Sequence, residues 1–281
     1  MFLFSILALS IPCTCRAAEM VKVDKTKIRL SVTPGQASTG VINIENPSKD
    51  IKSIRAYQED WVYLAPYDGS KDFKPSGTGP SSAGSWITFS PSELTLAPYG
   101  KGKISYTVKV PESAVGCRQS ALFVESTSPS NENEGVGVNL ALRVAVLFFV
   151  EAEGTVKRDI ALQDLSVKRT GAKGMLTIAL PFKNTGNTDL TVGGTYNIMG
   201  ANGMIAARGE LANSYTLPGN TGNLQASWSL PIAPGDYSLV LTLDIGKAVE
   251  EAGMGRGPVI VKEASLKIGA DGSVAGIGAL K

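Results

Sequence analysis

Chemistry at neutral pH runs most often through histidine, and this chain of 281 residues has none. Ser-His-Asp and Cys-His constellations and HExxH zinc motifs are thereby excluded. The remaining reactive groups are sparse. Cys117 follows Gly116 and precedes Arg118, a turn beside a cation where a thiol pKa falls. With no histidine as base, Cys117 reads instead as a turn cysteine or as one half of an intermolecular disulfide. Glu59 with Asp60, and Glu132 with Glu134, lack the ligand spacing of a calcium loop and read as solvated charge. The glycine-rich pieces GMGRGP (253–258) and GADGSVAGIGALK (269–281) lack the strand-then-helix context of a phosphate loop, so they read as loop and tail. No catalytic residue, cofactor or metal is expected.

If the residues do no covalent chemistry, the elements that carry them must do the work. The chain is 43% apolar, with 31 glycines and 15 prolines spread among short runs rich in Val, Thr, Ser and Ile, which predicts an all-β fold punctuated by turns. Lys plus Arg number 27 and Asp plus Glu 25, so no net field draws the chain to nucleic acid. The opening MFLFSILALSIPCTCRAAEM is an apolar run stopped by Pro12, with small residues at Ala17 and Ala18, and reads as a signal peptide over residues 1–18. Its basic start is missing, and a buried strand or helix is the other reading. Pro12 and Thr14 are poor predecessors of a lipidated cysteine. Removal of the leader leaves Cys117 as the single thiol, so apolar cores and not disulfides must hold the fold. VAVLFFV (144–150) is too short to span a bilayer and reads as a buried strand. An exported protein without a transmembrane anchor is expected, in the periplasm or cell envelope of a bacterium.

Alternating runs at Lys27–Thr33, Gly40–Glu45, Ile51–Tyr63, Trp86–Phe89, Glu93–Leu96, Lys103–Val110, Ser120–Glu125 and Val136–Val150 predict one sandwich over 19–155. Tyr67–Ser85 has no period and predicts a long exposed loop. Trp61, Tyr63 and Tyr67 before it, and Trp86 and Phe89 after it, read either as cross-strand core pairs or as a binding face. The plan repeats. TLAPYGKGKISYTVKVPESAVGCRQSALFVE, from Thr95, is answered by TLPGNTGNLQASWSLPIAPGDYSLVLTLD at Thr216–Asp244: Thr-Leu, a proline corner, an alternating strand, a second proline, a glycine turn and a final strand. Such a repeat predicts a second sandwich, over 156–269, with a flexible tail at 270–281. Units of this size fit two immunoglobulin-like sandwiches in tandem, with barrels as the alternative.

Residues 21–61, VKVDKTKIRLSVTPGQASTGVINIENPSKDIKSIRAYQEDW, resemble the first domain of PapD-like periplasmic pilus chaperones, as do LTLAPYGKGKISYTV, CRQSALFVES and LRVAVLFFV further on. LQDLSVKRTGAKGMLTIALPFKNTGNTDLTV is similar to the start of that family's second sandwich. Peptidoglycan-associated tandem domains that partner WxL surface proteins look nearly as similar. The resemblance implies a non-enzymatic protein that pairs a strand edge with a pilin-like or other surface subunit, while two basic residues in the cleft between the domains hold that subunit's C-terminal carboxylate. The first basic position falls on Lys27, with Arg29 two residues on along the same face; solvated edge charges are the plainer reading of both. The second falls on Val146, a departure, and Arg143 lies on the opposite face of that strand. The face of that strand left to a partner reads Gly137, Asn139, Ala141, Arg143, Ala145 and Leu147, so Ala145 and Leu147 are its apolar contacts. The alternative to a chaperone is a structural or adhesive wall-associated module.

Overall fold

The computed structural model describes residues 20–127, 141–170, 175–228, 232–254 and 257–281. The leader expected at 1–18, the carboxylates Glu132 and Glu134, and Val136 to Leu140 lie outside the described residues. The fold is all-β, as expected, and consists of two sandwiches rather than barrels.

The first sandwich contains β1 (Lys22–Val23), β2 (Lys27–Val32), β3 (Ala37–Glu45), β4 (Lys52–Tyr63), β5 (Lys71–Pro75), β6 (Ile87–Ser90), β7 (Glu93–Leu96), β8 (Lys101–Lys109), β9 (Cys117–Thr127) and β10 (Leu142–Ala152). One sheet has the order β1-β3-β8-β6 and the other β2-β10-β9-β4-β5, with β7 also on β4. β1 pairs antiparallel with β3, whereas β2, four residues on, pairs parallel with β10 in the facing sheet. Alternation explains the layering. Ile104, Tyr106 and Val108 of β8 are buried while Lys103, Ser105 and Lys109 are exposed, and Val146, Phe148, Val150 and Ala152 of β10 complete the same core. Each such aliphatic side chain contributes about 1.5–3 kcal/mol on burial.

The second sandwich contains β11 (Ile160–Leu162), β12 (Ser166–Thr170), β13 (Met175–Asn184), β14 (Leu190–Gly200), β15 (Ile205–Thr216), β16 (Thr221–Trp228), β17 (Gly235–Asp244), α1 (Lys247–Glu251), β18 (Val259–Ile268) and β19 (Val274–Ile277). β11, β12 and β16 all pair with β13, and the facing sheet has the order β15-β14-β17-β18-β19. Ile178, Leu180, Phe182, Ile198, Leu239 and Leu241 are fully buried between them. The repeated corner keeps its role: β8 to β9 and β16 to β17 each carry the chain from one sheet to the other.

Three expectations are corrected. Tyr67–Ser85 is not one exposed loop: β5 pairs with β4 inside it, and Ala83 is wholly buried. Asp60 is the reason. It is buried and not solvated, and its carboxylate accepts bonds from the Gly79 amide at 2.8 Å and the Ser82 hydroxyl at 2.6 Å, pinning the loop down. Residues 270–281 are not a free tail either. β19 pairs with β18, Ile277 and Leu280 pack on the second core, and the Lys281 amide donates to the Glu263 carbonyl at 2.9 Å. Among the described residues no helix is long and apolar enough to cross a membrane.

Candidate functional site

β2 is the edge of its sheet, and its period of two does place Lys27 and Arg29 on one face. Their fates differ because the second sandwich covers only one of them. Arg29 is a solvated charge in neither sense: its side chain is 1% exposed. Its two Nη atoms fork the Asp189 carboxylate at 3.0 and 2.5 Å, Nη1 also donates to Glu151 Oε1 at 2.8 Å, and the guanidinium lies 4.4 Å from the centre of the Phe149 ring. Arg158 donates to the same Glu151 oxygen at 2.6 Å. Two cations thus neutralise two buried carboxylates across the junction, Asp189 entering from the turn that leads into β14. Burial is the largest influence on Arg29 and opposes its charge, but the charge and hydrogen bond of Asp189 together with Glu151 and its other neighbours outweigh it, so the pKa is raised and the cation is held. Arg29 is therefore occupied by the chain's own carboxylates and is not free to take a partner's.

Cys117 sits in the same junction. Its amide donates to the Asn187 carbonyl of the second sandwich at 3.0 Å. The thiol is buried, and burial pushes its pKa well above the ordinary value, Asp189 adding to the effect. Arg118, its neighbour in sequence, does not offset this, because that side chain points elsewhere, to the Pro80 carbonyl at 3.2 Å. An intermolecular disulfide is ruled out by the same burial. Gly116 has φ +77°, and a Cβ there would stand 2.4 Å from the Asn187 carbonyl oxygen, so the close approach of the two sandwiches requires glycine at this position.

Lys27, by contrast, stays half open. Its side chain is 40% exposed, its Nζ lies 3.5 Å from Glu251 of α1 and 5.6 Å from the centre of the Phe149 ring. A second ammonium converges on it from an element the sequence did not reveal. Lys71, at the start of β5, donates to the Gly69 carbonyl at 2.8 Å and lies over the rings of Trp61 and Tyr63 at 5.6 and 5.3 Å. Burial and then the charge of Lys27 lower its pKa. Lys27, Lys71, Tyr63, Phe149 and Tyr215 line a cleft of about 490 Å³ where the two sandwiches meet. Its floor is fixed by the second sandwich, since the Tyr215 amide donates to the Tyr67 carbonyl at 2.8 Å and Leu217 is buried against the aromatic cluster of the first.

β10 leads into this cleft. β2 covers it only from Leu147 onward; on that side of Leu142–Val146 no strand pairs among the described residues. Ala145 and Leu147 are half-buried against the aromatic cluster, and Val146 is wholly buried in the first core. Arg143 is occupied by its own face: it pairs with Glu59 at 3.5 Å, donates to the Tyr57 hydroxyl at 3.3 Å and stacks 4.4 Å from the Phe123 ring centre. The aromatics are divided between packing and the cleft wall. Trp61 and Phe149 pack edge to face, while Tyr63 and Tyr215 line the cleft. Lys71, Glu151, Arg158 and Asp189 were missed; the short run Lys-Asp-Phe-Lys-Pro is too brief for periodicity to mark as a strand, and the others have partners far away in sequence. Among the described residues no group of three His, Cys, Asp or Glu side chains stands close enough to hold a metal.

No protein-family model matches the chain, and no curated protein matches it. Among solved structures it is similar to the class 5 fimbriae chaperone CfaA, at 15% identity over 87% of this chain and 98% of that one, with a TM-score of 0.48. It is also similar to a chain in the complex of the Salmonella enterica SafA pilin with the SafB chaperone, at 14% identity over 88% and 97% of the two chains and a TM-score of 0.43. A third is the CsuC-CsuE chaperone-tip adhesion subunit pre-assembly complex from archaic chaperone-usher Csu pili of Acinetobacter baumannii, at 15% identity over 87% and 98% and a TM-score of 0.41.

Proposed function

We propose that this is an exported, non-enzymatic binding protein that holds a pilus or other envelope surface subunit during assembly, by pairing the open edge of β10 with a strand of that subunit. The observation that carries the reading is one juxtaposition: the edge at Leu142–Val146, unpaired among the described residues, runs into the cleft where Lys27 and Lys71 converge. An open edge supplies main-chain hydrogen bonds that are indifferent to side chains, and Ala145 and Leu147 supply the apolar contact. Two ammonium groups at the end of that edge suit a C-terminal carboxylate. The second basic anchor is thus Lys71 from β5, in place of the residue at 146, and Arg29 belongs to the junction. The apolar leader supports export to the periplasm or envelope.

The test is capture of envelope subunits by the mature protein, with folding yield of the captured subunit as the second readout. Lys27→Ala with Lys71→Ala should weaken capture by about 10- to 100-fold, the equivalent of losing one or two charge-assisted contacts, with the far-UV spectrum unchanged. Capture insensitive to the double variant would remove the carboxylate anchor. Absence of any subunit whose assembly depends on the protein, together with display at the outer surface, would favour a structural or adhesive wall module instead.

A further inference from the structure

β15 forms the outer edge of the second sandwich's larger sheet. β14 pairs with it on one side, and no strand pairs with it on the other among the described residues. Edges of this length are commonly blunted by proline, by lysine or by like charges. This one carries Ala206, Arg208, Glu210 and Ala212 on its exposed face, with neither proline nor lysine between Ile205 and Thr216; its register on β14 shifts on either side of Ala207–Leu211, so the regular stretch of the edge is centred on Gly209. Arg208 and Glu210 make no ion pair with any other described residue. Gly209 stands between them; a Cβ there would point into the Tyr196 ring at 2.9 Å, so the midpoint of the edge presents no side chain outward.

From this pattern we infer that β15 is a self-complementary interface, pairing antiparallel with β15 of a second copy of this chain about a twofold axis through Gly209. The axis sets Arg208 opposite Glu210 of the second copy, and by symmetry Glu210 opposite its Arg208. Ala206 and Ala212 fall opposite each other in the same way, small against small. Neighbouring registers are disfavoured by the same residues. An axis through Arg208 sets two arginines face to face, and one through Glu210 sets two carboxylates face to face, arrangements that destabilise an antiparallel pair. The charges therefore select one register out of several that the backbone alone would permit. The pairing also brings Met204 and Ile205, 69% and 52% exposed, level with Ser214 and Asn213 of the second copy. A cleft of about 680 Å³, lined by Leu211, Ala212 and Asn213 and by Gln225 and Ser227 of β16, lies alongside that end and gives the apolar pair somewhere to go.

Sedimentation velocity of the mature full chain over a concentration series tests the assignment. The wild type should show a concentration-dependent dimer. Arg208→Glu alone and Glu210→Arg alone each replace two attractive pairs by two repulsive ones and should weaken the dimer by about tenfold or more. The double variant Arg208→Glu/Glu210→Arg restores both pairs and should restore association. Circular dichroism should be unchanged in all three, as should the thermal midpoint at a concentration where the wild type is monomeric, since the side chains are exposed and unpartnered in one copy. In a second arm, Ala206→Cys/Ala212→Cys should cross-link into a covalent dimer under mild oxidation, while the buried Cys117 does not compete. A wild type that stays monomeric throughout, or association equal in the single and double charge variants, would overturn the proposal; so would failure of the cysteine pair to cross-link.

Discussion

Replacing Arg29 by methionine keeps an unbranched side chain of similar reach and removes both the guanidinium over the Phe149 ring and the fork that joins the two sandwiches. Asp189 then loses both guanidinium contacts and keeps only the Thr188 hydroxyl at 3.3 Å, whereas Glu151 retains Arg158 at 2.6 Å. Removing one partner of a buried pair costs about 3–5 kcal/mol, because a desolvated charge is left behind. Since one of the two carboxylates keeps a cation, the lower end of that range, about 3 kcal/mol, is expected. Because Arg29 and Asp189 belong to different sandwiches, the loss falls on their coupling rather than on either core. Differential scanning calorimetry should therefore change from one transition in the wild type to two in Arg29→Met. Asp189→Asn removes the stranded charge, so the double variant Arg29→Met/Asp189→Asn should be less destabilised than the sum of the singles by about 2–3 kcal/mol. A single, barely shifted transition in Arg29→Met, or strict additivity in the cycle, would refute the reasoning.

Lys71 should titrate below an exposed lysine, as read by NMR of its side chain, and Lys27→Ala should move it back upward by removing the neighbouring charge. Because its folded pKa is lowered, the unfolded chain binds more protons in the alkaline window between the two pKa values, so stability rises with pH there while carboxylate binding in the cleft falls. Cys117 should resist thiol reagents in the native protein and react fully once the chain is unfolded; rapid native labelling would contradict its burial. Val146→Lys, which installs the basic residue that the sequence resemblance leads one to expect, should destabilise the first sandwich by several kcal/mol in urea titration, because position 146 is wholly buried in its core.

Much of the scaffold was legible because its determinants are local. Alternation in the β8 and β10 runs reports which side chains face the core, and the corner shared by Thr95 and Thr216 reports that a whole unit is repeated. β5 escaped because five residues in a Gly, Ser and Pro setting carry no period, and the loop after them is held by Asp60, a residue that reads as ordinary surface charge. β19 escaped for the same reason. The site was legible only in part. A period of two placed Lys27 and Arg29 on one face, but nothing near Arg29 signals that its carboxylates stand 122 and 160 residues away. Whether a charge on an edge strand meets water or a second domain depends on how the domains dock, and that is set by small features such as Gly116 that have no chemistry of their own.

The start of β2 acts as a stop. On the side of β10 that β2 later occupies, the edge left open among the described residues is five residues long, Leu142–Val146, or about 17 Å of ladder. A strand added there would lie end to end with β2 and could not slide past Lys27, which faces Leu147. Since β2 runs parallel to β10, a strand whose C-terminus abuts Lys27 must run parallel to β10 as well; reversed, it would present its N-terminal amine to two ammonium groups. On the proposed function, the first residue of an edge strand would thus fix both the direction of a guest strand and its register, without reading a single guest side chain.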